Sequence, residues 1–164
     1  MINSSRFIEG FLQKQRFKKV IPLLKGDVLD FGGNKGELRG YVKGDYTIVN
    51  YDHAPMESKS FDTIVALAVI EHIEIADVFS IFQKFKTKLN PGGQIFLTTP
   101  TKMAKPVLEF MAAIKIVDKE NIEEHKHYWS RAEIHDLAHK NGFRVKKYKK
   151  FQIGFNQYAI FEHA

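Results

Sequence analysis

Fifteen residues, Asp27 to Tyr41, limit what this chain can fold into. Val28, Leu29 and Phe31 form a short apolar run around Asp30, and the run breaks at once into Gly32, Gly33, Asn34 and Gly36. A short apolar run bounded by turn residues predicts a buried strand, and glycine lets the backbone turn sharply and approach a ligand closely. In α/β sheets ligands sit beyond the carboxyl ends of the strands, so a strand that empties into a glycine turn predicts a binding corner there.

The spacing narrows the ligand. A dinucleotide fingerprint needs glycine at positions 32, 34 and 37, and this chain has Gly32, Asn34 and Glu37. A glutamate where a helix should receive pyrophosphate repels it, and no Gly-Lys-Ser/Thr ending marks a nucleotide P-loop. The pattern that fits is acidic-x-Gly-x-x-x-Gly, carried by Asp30, Gly32 and Gly36. Asn34 sits where a middle glycine is usual, and asparagine best replaces glycine at positive φ.

The next strand, Tyr46 to Tyr51, ends at Asp52, 22 positions beyond Asp30. An acidic side chain at that place accepts two hydrogen bonds from ribose hydroxyls in nucleoside-binding α/β folds; the alternative is a turn aspartate ahead of Pro55. Only Pro55 to Ser60 then precede the apolar run Phe61 to Leu67, too few residues for a helix and a strand. The expectation is a sheet of about six strands that lacks the usual third strand and is exposed at an edge beside Tyr46 to Tyr51.

Three segments, in order, resemble class I S-adenosylmethionine-dependent methyltransferases. Asp27 to Tyr41 resembles their motif I. Phe61-Asp62-Thr63-Ile64 through Ile70-Glu71-His72-Ile73 resembles the Phe-Asp-x-Val and Leu-Glu-His-Val signature of small-molecule members, including those of ubiquinone biosynthesis. Leu89-Asn90-Pro91-Gly92-Gly93, followed by an apolar strand ending in Thr99-Pro100, resembles their Leu-Lys-Pro-Gly-Gly segment. The resemblance covers nearly the whole chain from about Asp27 onward. It implies a Rossmann-like three-layer αβα sandwich, mostly parallel with an antiparallel last strand, as one domain over residues 1–164. It implies S-adenosylmethionine as cofactor, held by Asp30, Gly32, Gly33, Asn34, Gly36 and Asp52, with Leu67 and Ala68 bordering its methionine part. The missing third strand leaves the adenine subsite without its usual residues.

The other elements follow from periodicity. Ser4 or Ser5 caps a helix that Pro22 ends, either packed on the sheet or lying on a membrane surface. Glu71 and His72 stand at the start of the next helix, in which Ile75 to Leu89 places Ile75, Val78, Phe79, Phe82, Phe85 and Leu89 as one core-facing stripe, and Asn90 to Gly93 is read as its stop. Pro106 to Val117 reads as a short apolar helix, with Phe110, Met111 and Ile114 as a lid, a dimer contact or simple packing. Ser130 and Glu133 make a capping box for Arg131 to Asn141, which Gly142 stops. Phe143 to Phe151 and Gln157 to Glu162 are the last strands, a hairpin around Gly154.

Composition excludes some chemistry. The chain has no cysteine, so disulfides, thiol nucleophiles and zinc-thiolate sites are out. Glu71-His72 with His125 and His127 offers a set of metal-ligating residue types, but no ligand spacing supports it, and no metal is expected. No apolar run reaches the roughly 18 to 20 residues that cross a bilayer, and the basic N-terminus lacks a signal peptide's apolar core, so a cytoplasmic location is expected. A formal charge of +6 favours anionic partners. Arg144, Lys146, Lys147, Lys149 and Lys150 form a basic cluster, either a nucleic-acid footprint or a solvated, protected strand. His72 and His127 are the candidate general bases, since neutral imidazole suits deprotonation near pH 7. The function expected is methyl transfer to a small-molecule acceptor, with a homodimer possible. The alternatives are a non-catalytic cofactor- or partner-binding module and an RNA-directed methyltransferase.

Overall fold

The apolar runs become strands β1 (Val28–Phe31), β2 (Tyr46–Val49), β3 (Phe61–Leu67), β4 (Leu89–Pro100), β5 (Phe143–Phe151) and β6 (Asn156–His163). A computed structural model describes residues 4–50, 59–113 and 125–164. There the strands form one sheet in the order β2-β1-β3-β4-β6-β5. The four from β2 to β4 are parallel, and β6 runs antiparallel to both β4 and β5. All four residues of β1 are buried, as a strand covered on both faces requires.

Helices α1 (Ser4–Val20), α2 (Ile75–Lys88), α3 (Ala104–Ala113) and α4 (Arg131–Lys140) complete the described chain. On one face of the sheet Val20, at the end of α1, packs with Val28, Val65, Phe96 and Ile160. On the other face α2 contributes Val78, Phe82 and Phe85, with Phe79 partly buried beside them, and α4 contributes Ile134 and Leu137, against Leu29, Ile64 and Leu97; Ile75, expected on the same stripe, lies in the first turn of α2 and stays exposed. The side chains of β1, β3 and β4 thus alternate between two cores, giving the expected αβα layers, and α1 is a packed helix. No helix among the described residues is long and apolar enough to cross a membrane.

Two junctions differ from expectation. Asn90 to Gly93 do not stand between helix and strand: β4 begins at Leu89, which pairs with Phe61, and pairing resumes at Thr63 and Gln94. The four residues between bulge outward and are tied down from outside the strand, by Asn90 Nδ2 donating to Asp62 Oδ1 at 3.0 Å and Lys25 Nζ donating to the Gly92 carbonyl at 2.7 Å. Glu71 and His72 do not open α2 but lie in a separate 3-10 turn, Ile70–His72, before it. Asn141 and Gly142 end α4 as expected, with Gly142 at φ +72°.

Among the described residues β2 pairs with β1 alone, so it is an edge of the sheet. Residues 51–58 and 114–124, and with them Asp52, Ile114 and all but Lys59 and Ser60 of the link expected to replace the third strand, lie outside the described residues.

Candidate active site

The glycine turn has the conformation its residues allow. Gly32, Asn34 and Gly36 have φ of +77°, +49° and +73°, so asparagine does take the left-handed position between two glycines. The Gly32 amide donates to the Val49 carbonyl (2.9 Å) and the Asn34 amide to Asn50 Oδ1 (3.2 Å), which ties the turn to the end of β2. No α-helix follows among these residues; one 3-10 turn, Arg39–Tyr41, leads back towards β2.

The turn opens onto a cavity of about 210 Å³. Asp30, Gly32, Gly33 and Asn34 line one wall, and Leu67 and Ala68, at the end of β3, line another. Gly36, expected beside the ligand, instead packs against Ile48 and Tyr46, and a side chain there would collide with Ile48. Sequence reasoning missed a third wall, Gln13, Arg16 and Phe17 of α1, and Glu37, whose carboxylate accepts from Gln13 Nε2 at 2.6 Å. Nothing local marks those α1 residues, because only the packing of the helix against the sheet brings them there. The volume is below the ~300 Å³ lower end for pockets that hold drug-sized ligands. On the β2 side, the chain beyond Asn50 passes outside the described residues, where Asp52 lies.

Asp30 is only 3% exposed and accepts a hydrogen bond from the Tyr46 hydroxyl. Desolvation raises its pKa to about 6, the Tyr46 bond partly opposes this, and the Glu37 charge adds to it. Gly33 makes room for this carboxylate, since a Cβ there would overlap it.

Beside the cavity the chain leaves β3 through Ala68, at φ +53°, whose amide donates to the Thr98 carbonyl (3.0 Å) and Oγ1 (3.1 Å). Gly32 faces Val69, where an added Cβ would be only 2.6 Å from a methyl, so this crossing lies directly on the glycine turn. Glu71 follows, 1% exposed, and accepts from Thr99 Oγ1 at 3.0 Å. Burial raises its pKa to about 7, opposed by hydrogen bonds and by the charge of Arg16. The Glu71 carbonyl accepts from the amides of Lys126 (2.7 Å) and His127 (3.2 Å), which stitches the segment from His125 to Trp129 to this corner.

The two histidines named from sequence have different surroundings. His72 meets His125 ring to edge, centroids 4.7 Å apart. The pKa of His125 is lowered to about 4 by burial and by His72, and its Nδ1 is 3.0 Å from the Tyr128 hydroxyl. His127 is 2.9 Å from Glu133 Oε1 and packs edge-on against Trp129. Glu133 also accepts from the Ser130 amide at 2.7 Å, so His127 is attached to the capping box of α4 and is not among the residues lining the cavity.

The family model described as a methyltransferase domain matches residues 6–148. The chain belongs to the methyltransferase domain family. A crystal structure of a SAM-dependent methyltransferase from Archaeoglobus fulgidus superposes with a TM-score of 0.70 at 14% identity, over 92% of each chain. The magnesium protoporphyrin IX methyltransferase of Synechocystis PCC 6803, determined with bound SAH, superposes with a TM-score of 0.63 at 12% identity, over 93% of this chain and 84% of that one. At these identities the likeness is one of fold, and it establishes the Rossmann-like class. A tRNA U34 carboxymethyltransferase of Nautilia profundicola is 34% identical over 64 residues, 38% of this chain. The match spans about a fifth of that protein, 21% of its length.

Proposed function

We propose that this chain binds S-adenosylmethionine in the corner of Asp30, Gly32, Gly33 and Asn34 and transfers its methyl group to an oxygen, nitrogen or carbon nucleophile of a small-molecule acceptor. The observation that carries this is the left-handed glycine turn lining a cavity beside a buried carboxylate, in a methyltransferase-family chain. Asp30 is suited to a cationic ligand, since a positive charge at the cavity would offset the burial that disfavours its ionised form. The cofactor's ammonium group is such a charge. Leu67 and Ala68 border the methionine part, and Asp52 is assigned to the ribose.

Bound there, S-adenosylmethionine would supply a methyl group on a sulfonium: an acceptor electron pair would form the new bond to methyl, sulfur would keep the electron pair of the broken carbon–sulfur bond, and any proton on the acceptor would leave to a base or to water. The task of the protein residues would be to hold nucleophile, methyl and sulfur in line, which supplies most of the acceleration. Of the candidate bases, His72 lies in the crossing segment that follows the cavity-lining Ala68, and His127 is attached to Glu133. The test is calorimetric titration with S-adenosylhomocysteine. Binding is expected, and Asp52→Ala should weaken it by roughly 1.5 to 3 kcal/mol through loss of a charged hydrogen bond. No heat at millimolar ligand would overturn the proposal.

An RNA acceptor is the second reading, favoured by the tRNA-directed name of the N. profundicola relative and by the exposed Lys147, Lys149 and Lys150 of β5. Methyl-transfer assays with labelled cofactor on bulk tRNA and on small oxygen, nitrogen and carbon nucleophiles separate the two.

A further inference from the structure

The crossing segment holds a second constellation beside the cofactor corner. Glu71, His72 and His125 each offer one donor atom, and these atoms all lie within 4.8 Å of one another. We propose that these three residues bind a divalent transition-metal ion next to the glycine turn.

Two imidazoles and one carboxylate suit zinc, manganese, cobalt or ferrous iron better than magnesium or calcium, which prefer oxygen ligands throughout. Metal–ligand bonds of about 2.1 Å place neighbouring donors roughly 3 to 3.5 Å apart. Metal binding therefore draws the three side chains together by about an ångström, within reach of torsions in His72 and His125, which are only partly buried. The supports around the ligands are already in place. Thr99 Oγ1 holds one carboxylate oxygen of Glu71 at 3.0 Å. The two amides donating to the Glu71 carbonyl fix the segment that begins at His125. The Tyr128 oxygen, 3.0 Å from His125 Nδ1, can accept its N–H, the arrangement in which Nε2 carries the lone pair that binds a metal.

Three protein ligands leave coordination positions open. An acceptor hydroxyl bound there would lose its proton more readily and would be held against the methyl donor. That role rests on the methyl-transfer proposal and removes His72 from the candidate bases, whereas metal binding itself does not depend on it.

The experiment titrates tag-free, chelator-treated protein with Co²⁺, read by its visible absorption bands, and then displaces it with Zn²⁺. One equivalent is expected to bind. His125→Ala and His72→Ala should each weaken binding by about 100-fold or more, and Tyr128→Phe, which removes only the oxygen beside Nδ1, by about 10-fold. Because a buried change at Glu71 can disturb folding, His125→Gln, of similar size and polarity, serves as a second variant, with circular dichroism confirming the fold. A folded protein with no cobalt band at millimolar metal would overturn the site, as would variants that bind cobalt as tightly as the parent. S-adenosylhomocysteine affinity is measured on the same samples. Cobalt binding without S-adenosylhomocysteine binding would leave the metal site standing and reject the cofactor proposal, and the reverse result would reject the metal site alone.

Discussion

Asp30 shows how a binding group weakens the protein that carries it. Its folded pKa of about 6 lies above the ordinary aspartate value of 3.8. Between these values the native state holds more protons than the unfolded chain, so stability falls as pH rises. The loss is complete above about pH 6 and amounts to about 3 kcal/mol. Asp30→Asn keeps an oxygen for Tyr46 and removes the charge, so the ligand-free variant should gain up to about that much at pH 7.5 and almost nothing near pH 3.5. Urea unfolding at the two pH values checks this, and an equal change at both would remove the electrostatic explanation. Gly33→Ala acts on the same carboxylate by volume. Its methyl would overlap Asp30, and crowding of this kind typically costs about 1 to 3 kcal/mol, visible as a lower urea midpoint with an unchanged slope.

Helix α4 is the clearest case of an element written locally. The Ser130 hydroxyl accepts from the Glu133 amide at 3.3 Å and the Glu133 carboxylate reaches back to the Ser130 amide at 2.7 Å. Ser130→Ala should cost about 1 kcal/mol in equilibrium unfolding, and no loss would mean that the cap is satisfied by water. Burial opposes ionisation of Glu133, but bonds from Ser130 and His127 outweigh it and hold the pKa at about 2. That contribution is therefore present above the unfolded value and disappears as pH falls towards 2, and the partial exposure of Glu133 reduces it. Such elements were legible because their signals lie within a few residues: the capping box, the apolar stripe of α2, and the glycines around Asn34. What could not be read needed contacts between distant residues. Leu89 starts β4 because Phe61 pairs with it, and the Asn90 to Gly93 segment, which has every mark of a helix stop, becomes a bulge instead. Arg16 reaches the cavity wall only once α1 has packed on the sheet, and His125 meets His72 only because Glu71 binds the amides that follow it.

Across the whole molecule, charge and topology set separate tests. In β5, Arg144 and Lys146 are paired with Glu162, whereas the exposed Lys147, Lys149 and Lys150 stand outside these pairs and extend the same edge strand. If RNA is the acceptor, replacing these three by alanine should make log affinity fall less steeply with log salt, by about 0.7 in slope for each phosphate that the variant leaves unneutralised. Fluorescence anisotropy with tRNA from low to moderate salt measures the slope, and an unchanged value would remove β5 from the interface. Topology bears on the same strand. Residues 156–163 form β6, which lies between β4 and β5 although both precede it in the chain. A nascent chain emerging from the ribosome would therefore hold Ile95 to Pro100 of β4 as an open, largely apolar margin until those last residues arrive, and only then could β5 find its place. Synthesis of this protein carries a brief period of exposure to aggregation or chaperone capture, which ends when β6 inserts.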